Sequence, residues 1–347
     1  MLYLGIDQHK NHSTFCCINS SGHVIESRKI YNSKEMIESF LNNLPTDEPI
    51  MAVVEAGSFW HVMYDTLEEI DRIDKIILAN PSKVKIIASS KIKTDKIDAE
   101  KLAQLLRGNL IPEVWIQPKD IRVKKYTARF RIFVVKEKTK LKNRIHNLIS
   151  RNHLQSPEVT DLFGKHGIEW LKTVSLDETE RKLLDEHLKI YEFIEEEQKI
   201  IEKELHKQFD DDEDISYLRS IPGIGFVFSA LITLEIGDIN RFPDVSRLHS
   251  YCGLVPSTFS SGEKTYHGHL LKSSNSYLKW VFIEAALAAV KRSIYFSSHY
   301  YRIRSRNGSQ AAAVSTARKL ASVVFSILKD KRNYVENYSA LSPSSQF

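Results

Sequence analysis

The 347-residue sequence predicts a mixed α/β domain at the N-terminus followed by a long, mostly helical remainder. Apolar runs of strand length occur at 2–7, 13–19, 23–30, 50–54 and 74–79, each bounded by turn residues. Helical periodicity at 33–43, 59–69 and 95–107 interleaves with the later runs, and beyond Pro118 strand patterning gives way to long helical stretches.

The first three runs, LYLGID, STFCCIN and HVIESRKI, read as an antiparallel meander, because Ser20-Ser21-Gly22 is a turn signal between the last two. Ser33 caps the first helix, and Ile50 to Val54 is a buried strand ending at Glu55-Ala56-Gly57. A helix over 59–69 and a strand over 74–79 follow, closed by Asn80-Pro81. The helix over 95–107 has Thr94 as its cap, Ile97, Leu102, Leu105 and Leu106 as its apolar face, and Gly108 as its stop. The order β-β-β-α-β-α-β-α, antiparallel first and parallel afterwards, is the pattern of a ribonuclease H-like, or RuvC-like, α/β domain.

Residues 119–151 contain neither Gly nor Pro and read as one basic helix. Residues 176–209 repeat apolar side chains at Leu184, Leu188, Tyr191, Ile194, Ile201 and Leu205, so the two stretches suggest a helical hairpin or coiled-coil arm. Asp210 to Asp214 reads as an acidic hinge, and further helices run to about Tyr334. The expected organisation is therefore a catalytic domain over 1–118, an arm over 119–212, a C-terminal domain over 213–334 and a tail over 335–347.

Composition narrows the function. A hydrophobic fraction of 42% with 27% charged residues excludes a disordered or collagenous chain. Cys16, Cys17 and Cys252 show no CxxC spacing, which excludes a thiolate zinc site and a disulfide framework and leaves buried, reduced thiols. No apolar run reaches the ~18 residues of a membrane span, so a soluble, cytoplasmic protein is expected. The net charge of +5 is unevenly spread: residues 119–151 carry twelve Lys and Arg against Asp120 and Glu137, so the rest of the chain sums to −5. Such a basic segment, interleaved with Tyr126, Phe130 and Phe133, points to a polyanion.

The acids at element ends carry the chemistry. Asp7 closes the first strand, Glu55 follows the fourth, and Asp95 and Asp98 lie three apart at a helix start. Two-metal phosphoryl transfer uses carboxylate ligands holding Mg²⁺ ions ~3.5 to 4 Å apart, and four acids in this order supply them. Each acid alone is an ordinary strand exit or helix cap; the ordering is what argues for a site. Ile221-Pro222-Gly223-Ile224-Gly225 is a bend that either presents amides to a phosphate or packs tightly between helices. Ser260-Ser261-Gly262 places hydroxyls on a turn near Lys264, either as a nucleophile or as a polar turn. The P-loop and Rossmann fingerprints and HExxH are absent.

Taken in order, Gly5-Ile6-Asp7 with His9-Lys10, Val54-Glu55-Ala56-Gly57, Lys93-Thr94-Asp95-Lys96-Ile97-Asp98-Ala99, Pro222-Gly223-Ile224-Gly225, Ile236-Gly237-Asp238-Ile239 and Gly253-Leu254-Val255-Pro256 with Ser260-Ser261-Gly262 resemble the DEDD transposases of the IS110 insertion-sequence family. The resemblance runs from residue 2 to about 330. It implies a RuvC-like domain, a coiled-coil middle and a C-terminal transposase domain. It implies that Asp7, Glu55, Asp95 and Asp98 bind Mg²⁺, as two ions with Mn²⁺ as a substitute, and that Ser261, with Ser260 beside it, is the nucleophile. It further implies donor and target DNA, a structured bridge RNA as guide, assembly into dimers or tetramers, and a place at the bacterial nucleoid. A RuvC-type endonuclease that attacks with metal-activated water is the alternative, and a catalytically dead scaffold would require one of the four acids to be missing.

Overall fold

The computed structural model describes residues 1–87, 94–209, 211–261, 264–270 and 274–336, with only the backbone described at 258–261 and 264–267. The chain forms two compact units, Met1–Gln117 and Pro118–Phe347.

In the first unit, β1 (Leu2–Gln8), β2 (His12–Ile18) and β3 (Val24–Tyr31) form the antiparallel meander. After α1 (Lys34–Asn42) come β4 (Ile50–Glu55), α2 (Trp60–Glu68), β5 (Ile73–Ala79), α3 (Pro81–Ile87) and α4 (Asp95–Arg107). The sheet order is β3-β2-β1-β4-β5, with β4 parallel to both β1 and β5. This mixed arrangement is compatible with a ribonuclease H-like fold. Helix ends match their sequence signals: Ser33 Oγ accepts from the Met36 amide, and Thr94 Oγ1 accepts from the Ile97 amide at 3.3 Å.

Alternation along each strand sends side chains to two faces. Leu2, Leu4 and Ile6 of β1 pack with Phe40 and Leu41 of α1 and with Met63 and Leu67 of α2. On the opposite face Val53 and Ile77 pack with Leu102 and Leu106, and Cys16 and Ile18 pack with Ala99 and Ala103, all four partners being on α4. Gly5 of β1 faces α4 so closely that a Cβ would stand 2.0 Å from the Ala99 carbonyl oxygen and 2.6 Å from the Ala103 nitrogen. Only glycine lets α4 lie against the strand here. The three cysteines are buried free thiols, and burial pushes Cys16 up to about 11 and Cys17 up to about 12.

The second unit holds α5 (Lys119–Arg151), α6 (Lys165–Thr173), α7 (Glu178–Gln208), α8 (Glu213–Arg219), α9 (Phe226–Ile236), α10 (Val245–Tyr251), the hairpin β6 (Pro256–Ser261) and β7 (Lys264–Leu270), α11 (Ser276–Val290) and α12 (Ile294–Asp330). Leu141, Ile145 and Leu148 of α5 pack with Leu184, Leu188 and Tyr191 of α7. The other end of α5 joins the larger core through Ala128 and Ile132, together with α8 to α12. The ion pairs Arg131–Glu202, Lys138–Glu195 and Arg151–Glu180 step in opposite directions along the two helices, so α5 and α7 run antiparallel. The expected acidic hinge is a helix start, because the Asp212 carboxylate accepts from the Ile215 amide and caps α8.

Helix α12 is two limbs rather than one rod. Gly308 at φ 82°, ψ 172° breaks it. His299 Nε2 lies 3.0 Å or less from Ser315 Oγ, at 2.9 Å, and Lys319 Nζ lies 3.5 Å from the centre of the Tyr295 ring. Both pairs are nearly symmetric about the break, so the limbs fold back antiparallel. By length and composition α12 alone among the described helices is apolar enough to cross a bilayer. Its Ala317, Leu320, Ala321, Val324 and Ile327 instead fill the core of this unit.

About half of the +10 charge of α5 is offset by carboxylates from elsewhere in the second unit. Lys125, Arg129, Arg131, Lys138, Lys140, Lys142 and Arg151 pair with Glu235, Glu202, Glu195, Glu137, Asp161 and Glu180. Lys136 and Lys124 lie over the Trp280 and Phe209 rings. The polyanion expectation for this segment thus rests on the charge that these pairs leave over.

Candidate metal centre

Register places the acids. Gly5 pairs with Val53 and Ile6 with Val54 across the parallel β1–β4 ladder, so Asp7 and Glu55 stand one step further, at adjacent strand ends. Asp7 shares the face of Gly5, and Glu55 the face of Val53, which is the face covered by α4. Because Gly5 holds α4 on β1 through Ala99, the first turn of that helix, with Asp95 and Asp98, is carried to the same edge of the sheet.

The metal-capable group that results consists of Asp7, His9 and Asp95, whose ligand atoms all lie within 4.8 Å of one another. His9 Nε2 is 3.4 Å from Asp7 Oδ2 and 3.5 Å from Asp95 Oδ1. Glu55 stands at the neighbouring strand end, and Asp98 lies one turn along α4 from Asp95. Asp7, Glu55, Asp95 and Asp98 are all partly exposed, as ligands to an exchangeable ion must be. Carboxylate oxygens suit a hard divalent cation, and the imidazole nitrogen widens the choice toward first-row transition metals. The residues present thus fit a divalent ion.

Two residues here were not expected as participants. His9 follows Asp7 by two positions in the turn after β1, a spacing visible in the sequence but weak alone. Lys29 reaches the site by register: Asp7 pairs with Thr14 and Thr14 with Lys29, so the three form one row across β1, β2 and β3. Lys29 Nζ donates to Asp95 Oδ2 at 3.1 Å, and this hydrogen bond, with the nearby His9, holds the Asp95 carboxyl below its ordinary range. Thr14, Ser27, Arg28, Lys29, Thr94, Asp95 and Lys96 line an adjoining groove of about 540 Å³, so cations border the acidic cluster on one side.

In the second unit Ser261 ends β6, where its backbone pairs with Lys264, and Ser260 pairs with Thr265. The side chains of Ser260 and Ser261, and Gly262 after them, lie outside the described residues. Gly223, in the bend over 221–225, would place a Cβ 2.4 Å from the Ala285 carbonyl oxygen, which accounts for it by packing on α11.

The same unit contains a buried carboxylate that sequence reasoning missed. Glu235 of α9, 1% exposed, accepts from Arg129 Nε at 2.6 Å and Nη2 at 3.0 Å and from Asn275 Nδ2 at 2.7 Å, with Lys125 Nζ at 3.4 Å. The Arg129 guanidinium sits 4.4 Å over the Tyr277 ring, and Asn275 Oδ1 caps α11. Burial opposes ionisation of Glu235, yet Arg129, Lys125 and Asn275 together hold its carboxyl below the ordinary range. Its sequence neighbours give no sign of this, since Glu235 sits in an otherwise apolar helix.

Comparison with known proteins agrees with both units. A family model described as "Transposase", of the IS110 DEDD type, matches residues 4–153, and one described as the IS116/IS110/IS902 transposase family matches 215–302. A transposase for insertion sequence element IS1328 from Yersinia enterocolitica is 24% identical over 336 residues, covering 93% of this chain and 95% of the relative. A transposase for insertion sequence element IS1111A from Coxiella burnetii is 24% identical over 343 residues, covering 95% and 90%. An insertion element IS110 protein from Streptomyces coelicolor is 33% identical over 118 residues, covering 34% and 29%.

Proposed function

The chain belongs to the IS110/IS116/IS902 family of transposases, enzymes that cut and rejoin DNA, and on that premise we propose which of its residues carry out each part of the reaction. Its DEDD-type domain implies use of a divalent metal. The reading assigns Asp7, Glu55, Asp95 and Asp98 as ligands for a pair of Mg²⁺ ions, with Mn²⁺ as a substitute and His9 as an added donor. The observation that supports it is the meeting of Asp7, His9 and Asp95 at the end of β1, with Glu55 on the neighbouring strand end.

A divalent cation held there would supply positive charge to a scissile phosphate. Asp7 and Asp95 would hold that ion, and Lys29 with Arg28 adds donors along the adjoining groove. Ser261 is the proposed nucleophile: its oxygen forms a bond to phosphorus as the bond from phosphorus to a deoxyribose oxygen breaks, and the serine proton leaves to a base or solvent. The number of phosphate ester bonds is conserved, so rejoining needs no external energy source. The family resemblance supports the further parts of the reading: a structured bridge RNA that pairs with donor and target DNA, and dimers or tetramers whose subunits complete composite sites.

Trapping the reaction with denaturant in the presence of Mg²⁺ tests the assignment. A covalent protein–DNA adduct lost in Ser261→Ala and kept in Ser260→Ala is expected. Strand cleavage that survives Ser261→Ala would replace this reading with hydrolysis by activated water, as in RuvC-type endonucleases. Inactivity of wild type and Asp98→Asn alike, on cognate RNA and DNA, would favour a scaffold. Sequencing of co-purifying nucleic acid checks the guide: one enriched structured RNA is expected, and a random population counts against it.

A further inference from the structure

Between Glu284 and Asp330 the chain contains no acidic residue and eight cations: Lys291, Arg292, Arg302, Arg304, Arg306, Arg318, Lys319 and Lys329. The −5 sum outside 119–151 hides this run, because acids elsewhere cancel it. The fold concentrates three of these cations. Residues 304–311 at the reversal of α12 are all exposed, as are Tyr301 and Arg302. The reversal is thus a protruding tip carrying Arg302, Arg304 and Arg306.

These arginines differ from Arg129, Arg131 and Arg151 of α5 in having no carboxylate ion pair among the described residues. Arg302 Nη2 donates to His299 Nδ1 at 3.3 Å, a neutral partner, and the Arg304 guanidinium lies 6.0 Å from the Tyr301 ring. At about 100° per residue, Arg302 and Arg306 share one flank of the limb, and Arg304 projects from the roughly opposite flank. Guanidinium groups on both flanks of the tip can each reach phosphates along a duplex backbone.

We propose that the tip formed by the two limbs of α12, through Arg302, Arg304 and Arg306, binds the phosphate backbone of duplex DNA. The inference rests on the family's action on DNA and on neither the metal assignment nor Ser261. The contact positions the duplex without reading its sequence, as guanidinium-to-phosphate contacts do.

The test uses the full-length protein and fluorescence anisotropy with a labelled duplex DNA and, separately, a labelled RNA hairpin, over a range of salt. The triple variant Arg302→Ala, Arg304→Ala, Arg306→Ala is expected to bind the duplex at least about tenfold more weakly, with a log–log salt slope shallower by about 2 to 3. The triple Arg→Lys variant keeps the charges and is expected to restore most of the affinity, which separates lost contacts from lost folding. Unchanged duplex affinity and slope in the alanine variant overturns the proposal, and so does a loss confined to the RNA hairpin. Asp7→Asn, measured alongside, is expected to lose cleavage and keep duplex binding, so failure of the metal reading and failure of this one give different results.

Discussion

Two carboxylate clusters in this protein are built in opposite ways. Asp7 and Asp95 meet at the end of β1, partly exposed, with His9 between them and Lys29 paired with Asp95. Glu235 is sealed in the core of the second unit and surrounded by Arg129, Lys125 and Asn275. The first cluster leaves room for an exchangeable cation, whereas the second carries its cations permanently. A clustered carboxylate is thus a ligand set or a structural tie according to what the fold places around it.

The largest test of this contrast is Asp7→Asn. Loss of about 10³-fold or more in metal-dependent strand cleavage is expected, about 4 kcal/mol of transition-state stabilisation. Its unfolding midpoint should stay at the wild-type value or rise slightly, since one of two neighbouring negative charges is removed. A large drop in the midpoint would make Asp7 a structural tie as well and break the contrast.

Glu235→Ala should behave in the reverse sense. It leaves Arg129 and Lys125 without their buried partner, which is expected to destabilise by about 3 to 5 kcal/mol in denaturant unfolding. Replacing the charges together, as Glu235→Leu with Arg129→Met and Lys125→Met, should recover most of that loss. If the single variant costs under about 1 kcal/mol, the tie contributes little.

A buried base sharpens the comparison. His249 accepts from Arg318 Nε at Nδ1 and meets Ser322 Oγ at Nε2, so the ring is held neutral with its proton on Nε2. Burial, with the Arg318 charge, lowers its pKa from 6.5 to about 4. The unfolded chain therefore binds a proton that the folded chain refuses, and stability present above pH 6.5 is lost as pH falls toward about 4, by about 3 kcal/mol at most. His249→Gln should flatten that part of the stability profile, and an unchanged profile would refute the assignment.

The smallest expected effect is that of Gly5→Ala, which pushes α4 off β1 and should cost about 1 to 3 kcal/mol. It should also weaken divalent-ion binding, measured by calorimetry, because Asp95 rides on α4. Metal affinity equal to wild type would show that α4 does not position the ligands.

Many elements of both units were legible because their signals are local. The strands of the meander, the Ser33 and Thr94 caps and the long α5 and α7 helices stand within a residue or two of where patterning puts them. Legibility failed where charges meet across distance. How much of the excess of α5 is offset shows only when α7 and Glu235 supply counter-ions across the fold. The cations at 302–306 escape notice in a net sum, and Lys29 joins the metal centre only through two successive cross-strand pairings.

By itself the sequence determined the order of elements, the two-faced strands and the set of acids at element ends, because periodicity and capping are decided among residues a few positions apart. Only the tertiary structure decided which charges remain available. Electrostatic partners are chosen by proximity in space, so Glu235 and Arg129 neutralise each other across 106 positions while Asp7 and Asp95, 88 apart, are drawn together at an edge open to a cation.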